Sequence, residues 1–170
     1  MNISLIGLQG AGKTSVSRLL AKKLDRKLIS INEEVAKKTS LSAEKLMKMY
    51  GSEKFHDIQS EIIENVSDFD DCIIDTPSGI ITRNENIMNL KKNGLVILLT
   101  ADARTITNRI KNNRELSSLI KKAYLGEVRE IFQEREDKYK KSADYAIDTS
   151  GLLPEEICDL IIHYVQMELQ

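Results

Sequence analysis

Residues 7–14 read Gly-Leu-Gln-Gly-Ala-Gly-Lys-Thr, and this stretch decides the fold. It satisfies the phosphate-loop pattern G-x-x-x-x-G-K-[ST], in which a glycine-rich loop joins a β-strand to an α-helix. An apolar strand pattern precedes the loop, and apolar residues at helical spacing follow it, namely Val16, Leu19, Leu20 and Leu24. A glycine turn that matched the pattern by chance would not require these neighbours. We therefore interpret the stretch as a nucleotide-binding loop.

The residue types of this loop predict its chemistry. Backbone N–H groups of such a loop point inward and hold phosphates, and the positive end of the following helix dipole faces the same anion. Lys13 is expected to reach the β- and γ-phosphates, and the Thr14 hydroxyl is expected to bind Mg²⁺. Nucleotide binding is therefore assigned to six consecutive residues, of which Lys13 is also catalytic and Thr14 also a metal ligand: Gly10, Ala11, Gly12, Lys13, Thr14 and Ser15.

Composition and charge limit the class of protein. The chain has 170 residues and a formal net charge of −1, which favours one domain over residues 1–170 and indicates no nucleic-acid or anionic-membrane partner. No apolar run approaches the ~20 residues that span a bilayer, and no secretory signal precedes the loop. We therefore expect a cytoplasmic monomer whose partner is a small molecule. Cys72 and Cys158 lie in apolar segments and are expected to be buried free thiols.

Strand and helix patterns alternate along the chain. Strands are predicted at 2–6, 27–31, 72–75, 95–100 and 144–148. Helices are predicted at 13–24, 33–39, 43–50, 53–66, 84–92, 103–112, 122–140 and 155–168. Such alternation is typical of a parallel sheet with helices on both faces, so the predicted fold is a three-layer α/β domain. Pro154 suits the first turn of the last helix.

The polar segment 111–118 lies between two predicted helices and allows two interpretations. A charged connection of this kind is commonly a solvated loop. Alternatively, it belongs to a mobile lid over residues 110–122 whose Arg114 closes over the transferred phosphate. Phosphoryl transfer needs cationic stabilisation and the exclusion of water, so the phosphate loop raises the weight of the second interpretation. Both remain open.

Phosphate loops occur in kinases, switches and motors, and size and motifs narrow the choice. Large motor and transporter ATPases carry further domains. A GTP-specific switch should show Asn-Lys-x-Asp late in the sheet, but residues 98–102 read Leu-Leu-Thr-Ala-Asp. A small-molecule or nucleotide kinase is the class that remains.

Over nearly its full length the chain resembles a shikimate kinase. The matching stretches are the phosphate loop, residues 17–24 after it, and four later segments: Asn32-Glu33-Glu34-Val35, Gly51-Ser52-Glu53-Lys54-Phe55, Glu134-Arg135-Glu136-Asp137-Lys138-Tyr139, and Asp148-Thr149 with Pro154-Glu155-Glu156. The resemblance implies strand order 2-3-1-4-5, a substrate-binding helical region at 32–66, and transfer of the γ-phosphate of ATP, with Mg²⁺, to a hydroxyl of shikimate. It also implies that Arg109 and Pro154 lie near adenine and that Arg114 is the lid arginine.

The acceptor site departs from the family pattern at three places. The family's Asp-x-Asp is Ser-Ile-Asn at 30–32, its Phe-Arg-x-x-Glu is Phe-His-Asp-Ile-Gln at 55–59, and its Gly-Gly-Gly is Pro-Ser-Gly at 77–79. By position, the resemblance implies acceptor contacts for Asn32, His56, Ser78, Gly79 and Arg135. An exposed helix histidine without a role is an equally acceptable interpretation of His56.

Asp75 ends the third predicted strand and also has two interpretations. Many phosphate-loop enzymes keep a water-mediated Mg²⁺ ligand at this place. Asp75 could therefore take over the metal role that the family gives to an aspartate at position 30. An ordinary aspartate that caps a turn is equally compatible with the sequence.

Three functions remain in view. The first is ATP-dependent phosphorylation of shikimate, and the second is a kinase of the same fold with another hydroxylated acceptor. The third is a nucleotide-binding homologue that has lost catalysis. A nucleoside-monophosphate kinase is a weaker fourth, because no long insertion is present to hold a base.

Overall fold

The computed structural model describes the backbone of residues 1–170 and every side chain except those of 127 and 129–133. The five strands are β1 (Asn2–Ile6), β2 (Lys27–Ser30), β3 (Cys72–Asp75), β4 (Gly94–Thr100) and β5 (Tyr145–Asp148). The helices are α1 (Lys13–Leu24), α2 (Ile31–Thr39), α3 (Ala43–Ser67), α4 (Asn84–Lys92), α5 (Ala103–Asn112), α6 (Ser118–Ser142) and α7 (Pro154–Glu168). A 3₁₀ turn covers Ser78–Thr82. No helix, in the parts that the structure describes, is long and apolar enough to cross a membrane.

The strands form one parallel sheet in the order β2-β3-β1-β4-β5, which confirms the implied order. The phosphate loop leaves the central strand β1 between its neighbours β3 and β4. In this register Asp75 of β3 pairs with Leu5 on one side and with Ser30 on the other. Because the carboxyl ends of parallel strands meet at one edge, Asp75 and Ser30 both end beside the phosphate loop.

Helices cover both faces of the sheet, as the alternation predicted. Ile73 packs with α1 and α7, whereas its neighbour Ile74 packs with α2, α3, α4 and the C-terminal part of α6. Both isoleucines are fully buried. This opposite placement follows from the two-residue period of a strand, and burying each such side chain contributes about 1.5–3 kcal/mol.

Two helix starts lie well before the predicted ones because serine caps occur earlier than expected, and α7 begins at Pro154, one residue before its predicted start. The Ser30 hydroxyl accepts a hydrogen bond from Glu33 N, so β2 ends at Ser30 and α2 begins at Ile31. The Ser117 hydroxyl accepts one from Ile120 N, so α6 begins at Ser118 rather than at 122. The predicted strand end at 31 and helix starts at 33 and 122 are therefore wrong. Only residues 113–117 connect α5 to α6, so the predicted lid region 110–122 includes the ends of both helices.

Helix α3 contains the break that the sequence predicted between 50 and 53. Gly51 has φ +84° and ψ +166°, a backbone conformation that is essentially restricted to glycine. The chain therefore changes direction at Gly51 without leaving α3, and the part after the break carries residues 55–59.

The two cysteines are free and buried, as predicted. Burial raises the pKa of the Cys72 thiol, and it raises that of Cys158 to about 11. Because the thiolate is the reactive form, neither side chain is a nucleophile at neutral pH.

Candidate active site

The start of the phosphate loop is fixed by contact between β1 and β4. Gly7 has φ +147°, and a Cβ atom at this position would collide with the carbonyl oxygen of Leu99. A turn then follows, in which Ala11 N donates to Leu8 O at 3.1 Å. The glycine at position 7 is therefore required by the close approach of the two strands as well as by the loop.

Lys13 is held inside the loop. Its ammonium group donates to Gly7 O at 2.7 Å and to Leu8 O at 3.0 Å, and the side chain is buried. Burial lowers the pKa of Lys13 to about 8, and the carboxylate of Asp75 opposes that shift. An anion in the loop would stabilise the charged form of this buried lysine.

Thr14 and Asp75 form a pair of oxygen ligands beside Lys13. Thr14 Oγ1 donates to Asp75 Oδ2 at 2.9 Å. Burial raises the pKa of Asp75, while the charge of Lys13 and the hydrogen bond from Thr14 lower it. A hydroxyl and a carboxylate are hard oxygen donors of the kind that Mg²⁺ prefers, so the residues fit this metal.

Position 30 does not offer an equivalent ligand. The Ser30 hydroxyl is used as the N-cap of α2, directly across the sheet from Asp75. Within the described side chains, the hydrogen bond of the Asp75 carboxylate goes to α1 rather than to the turn after β3. This arrangement favours the metal hypothesis for Asp75 over the turn-capping one.

A cavity of about 280 Å³ holds these groups together. Its lining includes Lys13, Thr14, Ser15, Asn32 and Asp75, together with Arg18. Arg18 was not predicted from the sequence as a site residue. Its position four residues after Thr14 on α1 was the available signal, since residues at this spacing share a helix face.

Arg109 connects the phosphate loop to the turn before α7. Its guanidinium donates to Gly10 O at 3.2 Å, to Thr149 Oγ1 at 2.9 Å and to Thr149 O at 3.2 Å. Thr149 is fully buried and its hydroxyl also donates to Thr100 O at 2.8 Å. Pro154 lies exposed at the first position of α7. Thr149 was not recognised as a site residue from the sequence.

Arg114 lies in the connection between α5 and α6 and is exposed. With Thr14, Asn32 and Arg109 it lines an open cleft of about 880 Å³ next to the phosphate loop. The role of Arg114 in a lid stays a prediction.

Three polar side chains of the predicted acceptor region are connected. His56 Nδ1 lies 3.1 Å from Gln59 Oε1, and Gln59 Nε2 lies 3.4 Å from Asn32 Oδ1. A Cβ atom at Gly79 would lie 3.2 Å from His56 Cε1, so the imidazole packs on the turn after β3. His56 is half-buried, which favours the acceptor-site hypothesis over an exposed surface histidine. Gln59 is 2% exposed, and no role was predicted for it from the sequence.

Ser78 begins the turn after β3, and Arg135 lies near Ser78 on α6. The Tyr139 hydroxyl donates to Ser78 O at 2.5 Å. Burial raises the pKa of Tyr139 to about 12, and Arg135 opposes that shift. Ser78 and Arg135 line a small cavity of about 20 Å³ with Gln9, which also lines the two larger cavities that Asn32 lines. The structure thus groups the predicted acceptor residues around one turn without bringing all of them into one cavity.

Known proteins resemble this chain in sequence and in structure. A sequence model described as shikimate kinase matches residues 9–166. A shikimate kinase of Thermodesulfovibrio yellowstonii is 36% identical over 161 residues, covering 95% of this chain and 92% of the relative. A shikimate kinase of Caldicellulosiruptor bescii is 33% identical, covering 95% and 93%. The solved shikimate kinase of Acinetobacter baumannii in complex with shikimate superposes with a TM-score of 0.85 at 25% identity, covering 98% of this chain and 93% of that one.

Proposed function

This chain belongs to the shikimate kinase family, and we propose that it transfers the γ-phosphate of ATP to a hydroxyl group of shikimate. We further propose that it acts with Mg²⁺, as a monomer, in the cytoplasm. The observation that carries the catalytic proposal is the hydrogen bond between Thr14 and Asp75 beside the buried ammonium of Lys13. This arrangement combines the cation and the oxygen ligands that phosphoryl transfer from a metal-bound nucleotide requires.

The phosphate loop binds and orients the nucleotide in this proposal. Backbone N–H groups of 10–15 hold the phosphates, and Lys13 exchanges its bonds to Gly7 O and Leu8 O for phosphate oxygens. Thr14 and Asp75 would hold Mg²⁺, directly or through water, and the bound metal would offset charge on the phosphates. Arg109 braces the loop against Thr149, and Arg114 approaches the transferred group from the cleft. Their task is positioning and charge stabilisation, which dominate this reaction.

The acceptor would lie between the phosphate loop and the turn after β3. Arg135 supplies a cation for the carboxylate of shikimate, and Asn32 supplies polar atoms for its hydroxyls. His56 stands where the family has an arginine, and Asn32 where it has an aspartate. Each lost charge-assisted hydrogen bond typically costs about 1.5–3 kcal/mol, a factor of roughly ten to one hundred in binding. We therefore expect a KM for shikimate well above that of relatives with the full family pattern.

A kinase with a different hydroxylated acceptor is the second candidate. The connected and formally uncharged set Asn32, Gln59 and His56 supports it. The family has charged residues at all three positions. In this chain the three neutral side chains are hydrogen-bonded to one another, and they would favour a different acceptor. An acceptor without a carboxylate would suit this set, because its hydroxyls need no cation.

The decisive experiment is a coupled assay of ADP release with ATP and Mg²⁺. Shikimate is compared with a panel of hydroxy acids, polyols and nucleosides, each over a range of concentrations. Saturable turnover with shikimate supports the first candidate, and turnover only with another acceptor supports the second. Calorimetric binding of ATP without turnover of any acceptor would contradict both and indicate a nucleotide-binding homologue that does not catalyse transfer.

A further inference from the structure

Gln59 bridges a titratable ring and a residue of the phosphate cavity. It lies on α3, is 2% exposed, and contacts His56 on its own helix through Oε1. Through Nε2 it contacts Asn32 in the first turn of α2, and Asn32 lines the cavity that contains Lys13 and Thr14. The bridge therefore spans the gap between the turn at Gly79, where His56 packs, and the nucleotide end of the site.

The atoms of this bridge can be ordered in only two ways. Gln59 Oε1 is solely an acceptor, so in the observed order His56 Nδ1 donates to it, Gln59 Nε2 donates to Asn32 Oδ1, and the Asn32 NH₂ group is left for the cavity. In the reverse order, both amides are turned, His56 Nδ1 accepts, and the Asn32 oxygen is left for the cavity. An imidazolium ion donates from both nitrogens and permits only the first order.

We propose, resting on the proposed function, that Gln59 is a positioning residue that transmits the protonation of His56 to Asn32 and thereby sets which group Asn32 presents to the acceptor. As the acceptor oxygen bonds to the γ-phosphorus, the bond from that phosphorus to the ADP oxygen breaks and the hydroxyl releases its proton. The Asn32 oxygen orients this hydroxyl by accepting its hydrogen, whereas the Asn32 NH₂ group cannot. The proton leaves to phosphate oxygens or water, since a neutral amide does not take it. The order that leaves the Asn32 oxygen free is thus open to neutral His56 and closed to its imidazolium form.

In the described part of the chain, the charged side chains on the elements packed around His56 contact partners other than the imidazole. On its own helix, Asp57 is paired with Arg83 at 2.7 Å, and Arg83 comes from the end of the 3₁₀ turn. From the same turn the imidazole meets Gly79, and from α2 the bridge meets only the neutral Asn32. From α6, Arg135 is directed to Tyr139.

Nuclear magnetic resonance can observe the bridge without turnover. The chain has two histidines, so H163Q, a change at an exposed position of α7, leaves His56 as the one imidazole. The experiment follows three sets of resonances in that full-length protein across the pH range in which imidazoles titrate. They are those of the His56 ring and of the side-chain NH₂ groups of Asn32 and Gln59. We expect the Asn32 resonances to move with the midpoint of the ring. Asn32 resonances that stay constant while His56 titrates would overturn the proposal.

The variant Q59L cuts the bridge with a side chain of similar size. We expect His56 to titrate in Q59L while the Asn32 resonances no longer follow. N65L, an amide-to-leucine change at an exposed position of the same helix, is the matched control and should behave like the parent. Asn32 that still follows His56 in Q59L would refute the role of Gln59. If Q59L does not fold, the titration of the parent protein alone decides.

Kinetics separates the bridge from direct binding of the acceptor by His56. If the bridge operates, kcat should fall roughly two- to tenfold as His56 becomes protonated, which corresponds to the loss of one neutral hydrogen bond. The variant Q59L should then lose this pH dependence. If His56 instead gripped a carboxylate, KM would fall at low pH and Q59L would keep that effect, which would contradict the proposal. Absence of turnover with every acceptor refutes the proposed function but leaves the resonance test intact.

Discussion

Replacing Asp75 with asparagine preserves the size of the side chain and a partner for Thr14 but removes the charge. If Asp75 supports Mg²⁺, the variant D75N loses a charge-assisted contact worth about 1.5–3 kcal/mol, and kcat/KM should fall roughly ten- to one-hundredfold. The Mg²⁺ concentration for half-maximal activity should rise. Because Asp75 also opposes the burial effect on Lys13, the pKa of Lys13 should move below its present value of about 8.

Stability should change in the opposite direction. Burial raises the pKa of Asp75 above its ordinary value, so the folded protein holds a proton more tightly than the unfolded chain does. The ionised carboxylate therefore costs stability as pH rises from the pKa of the unfolded chain through the raised pKa of the folded protein. We expect D75N to melt at the same temperature as the parent or higher. A variant that is less active and no less stable identifies a functional carboxylate rather than a structural one.

A second substitution can restore the lost charge from the neighbouring strand. Ser30 pairs with Asp75 in the sheet, so the side chains at these positions are separated by about one strand spacing of ~4.8 Å. Aspartate is as good an N-cap as serine, so S30D should preserve the start of α2. The double variant S30D/D75N should therefore recover part of the activity and of the Mg²⁺ dependence.

The assay is ADP release at fixed ATP and acceptor over a series of Mg²⁺ concentrations, with thermal unfolding measured on the same samples. S30D alone is the matched control. Wild-type kcat/KM and an unchanged Mg²⁺ dependence in D75N would refute the metal role of Asp75. Reduced activity that S30D fails to restore would refute the exchange of roles between positions 30 and 75.

Further predictions concern four other residues. The pKa of Lys13 is about 8 in the unbound protein, and phosphates favour the charged form of this lysine. The affinity for ATP should therefore fall as pH rises above that value, and binding should take up protons. Calorimetry in two buffers of different ionisation enthalpy measures the affinity and the proton uptake. R109A removes bonds to Gly10 and Thr149 and should weaken ATP binding roughly tenfold or more by calorimetry, and an unchanged Kd would contradict the bracing role. R114A should lower kcat by at least tenfold while the Kd of ATP stays constant, and equal losses in both would argue against a role limited to the transferred group. G51A meets no neighbouring atom, so its cost is backbone strain alone, about 1–3 kcal/mol in thermal or urea unfolding; no loss of stability would show that the break tolerates a side chain.

Local patterns were sufficient for much of the fold. The phosphate loop, the strands beside it and the break at Gly51 depend on neighbouring residues, so periodicity and glycine spacing predicted them. The strand order came from the family resemblance, because periodicity does not say which strands pair. The start of α6 was misplaced at 122 because its cap, Ser117, was interpreted as part of the polar connection 111–118.

The candidate site was predictable where its chemistry is carried by one segment. Lys13 and Thr14 follow from the loop pattern, and Asp75 from its place at a strand end. Gln59 was noted as a departure from the family pattern but was given no role, because that role depends on contact between α2 and α3, and a glutamine on a helix is usually solvated. Thr149 was missed for a similar reason, since its partner Arg109 is 40 positions away in sequence.

The buried state of both thiols makes the chain a convenient background for labelling. Maleimide reagents need an accessible thiolate, and neither Cys72 nor Cys158 provides one in the folded protein. A cysteine introduced in the exposed connection after α5 would carry the dye alone, without prior removal of the native sulfur atoms. The predicted movement of the lid over the cleft can then be tested by fluorescence in otherwise unaltered protein.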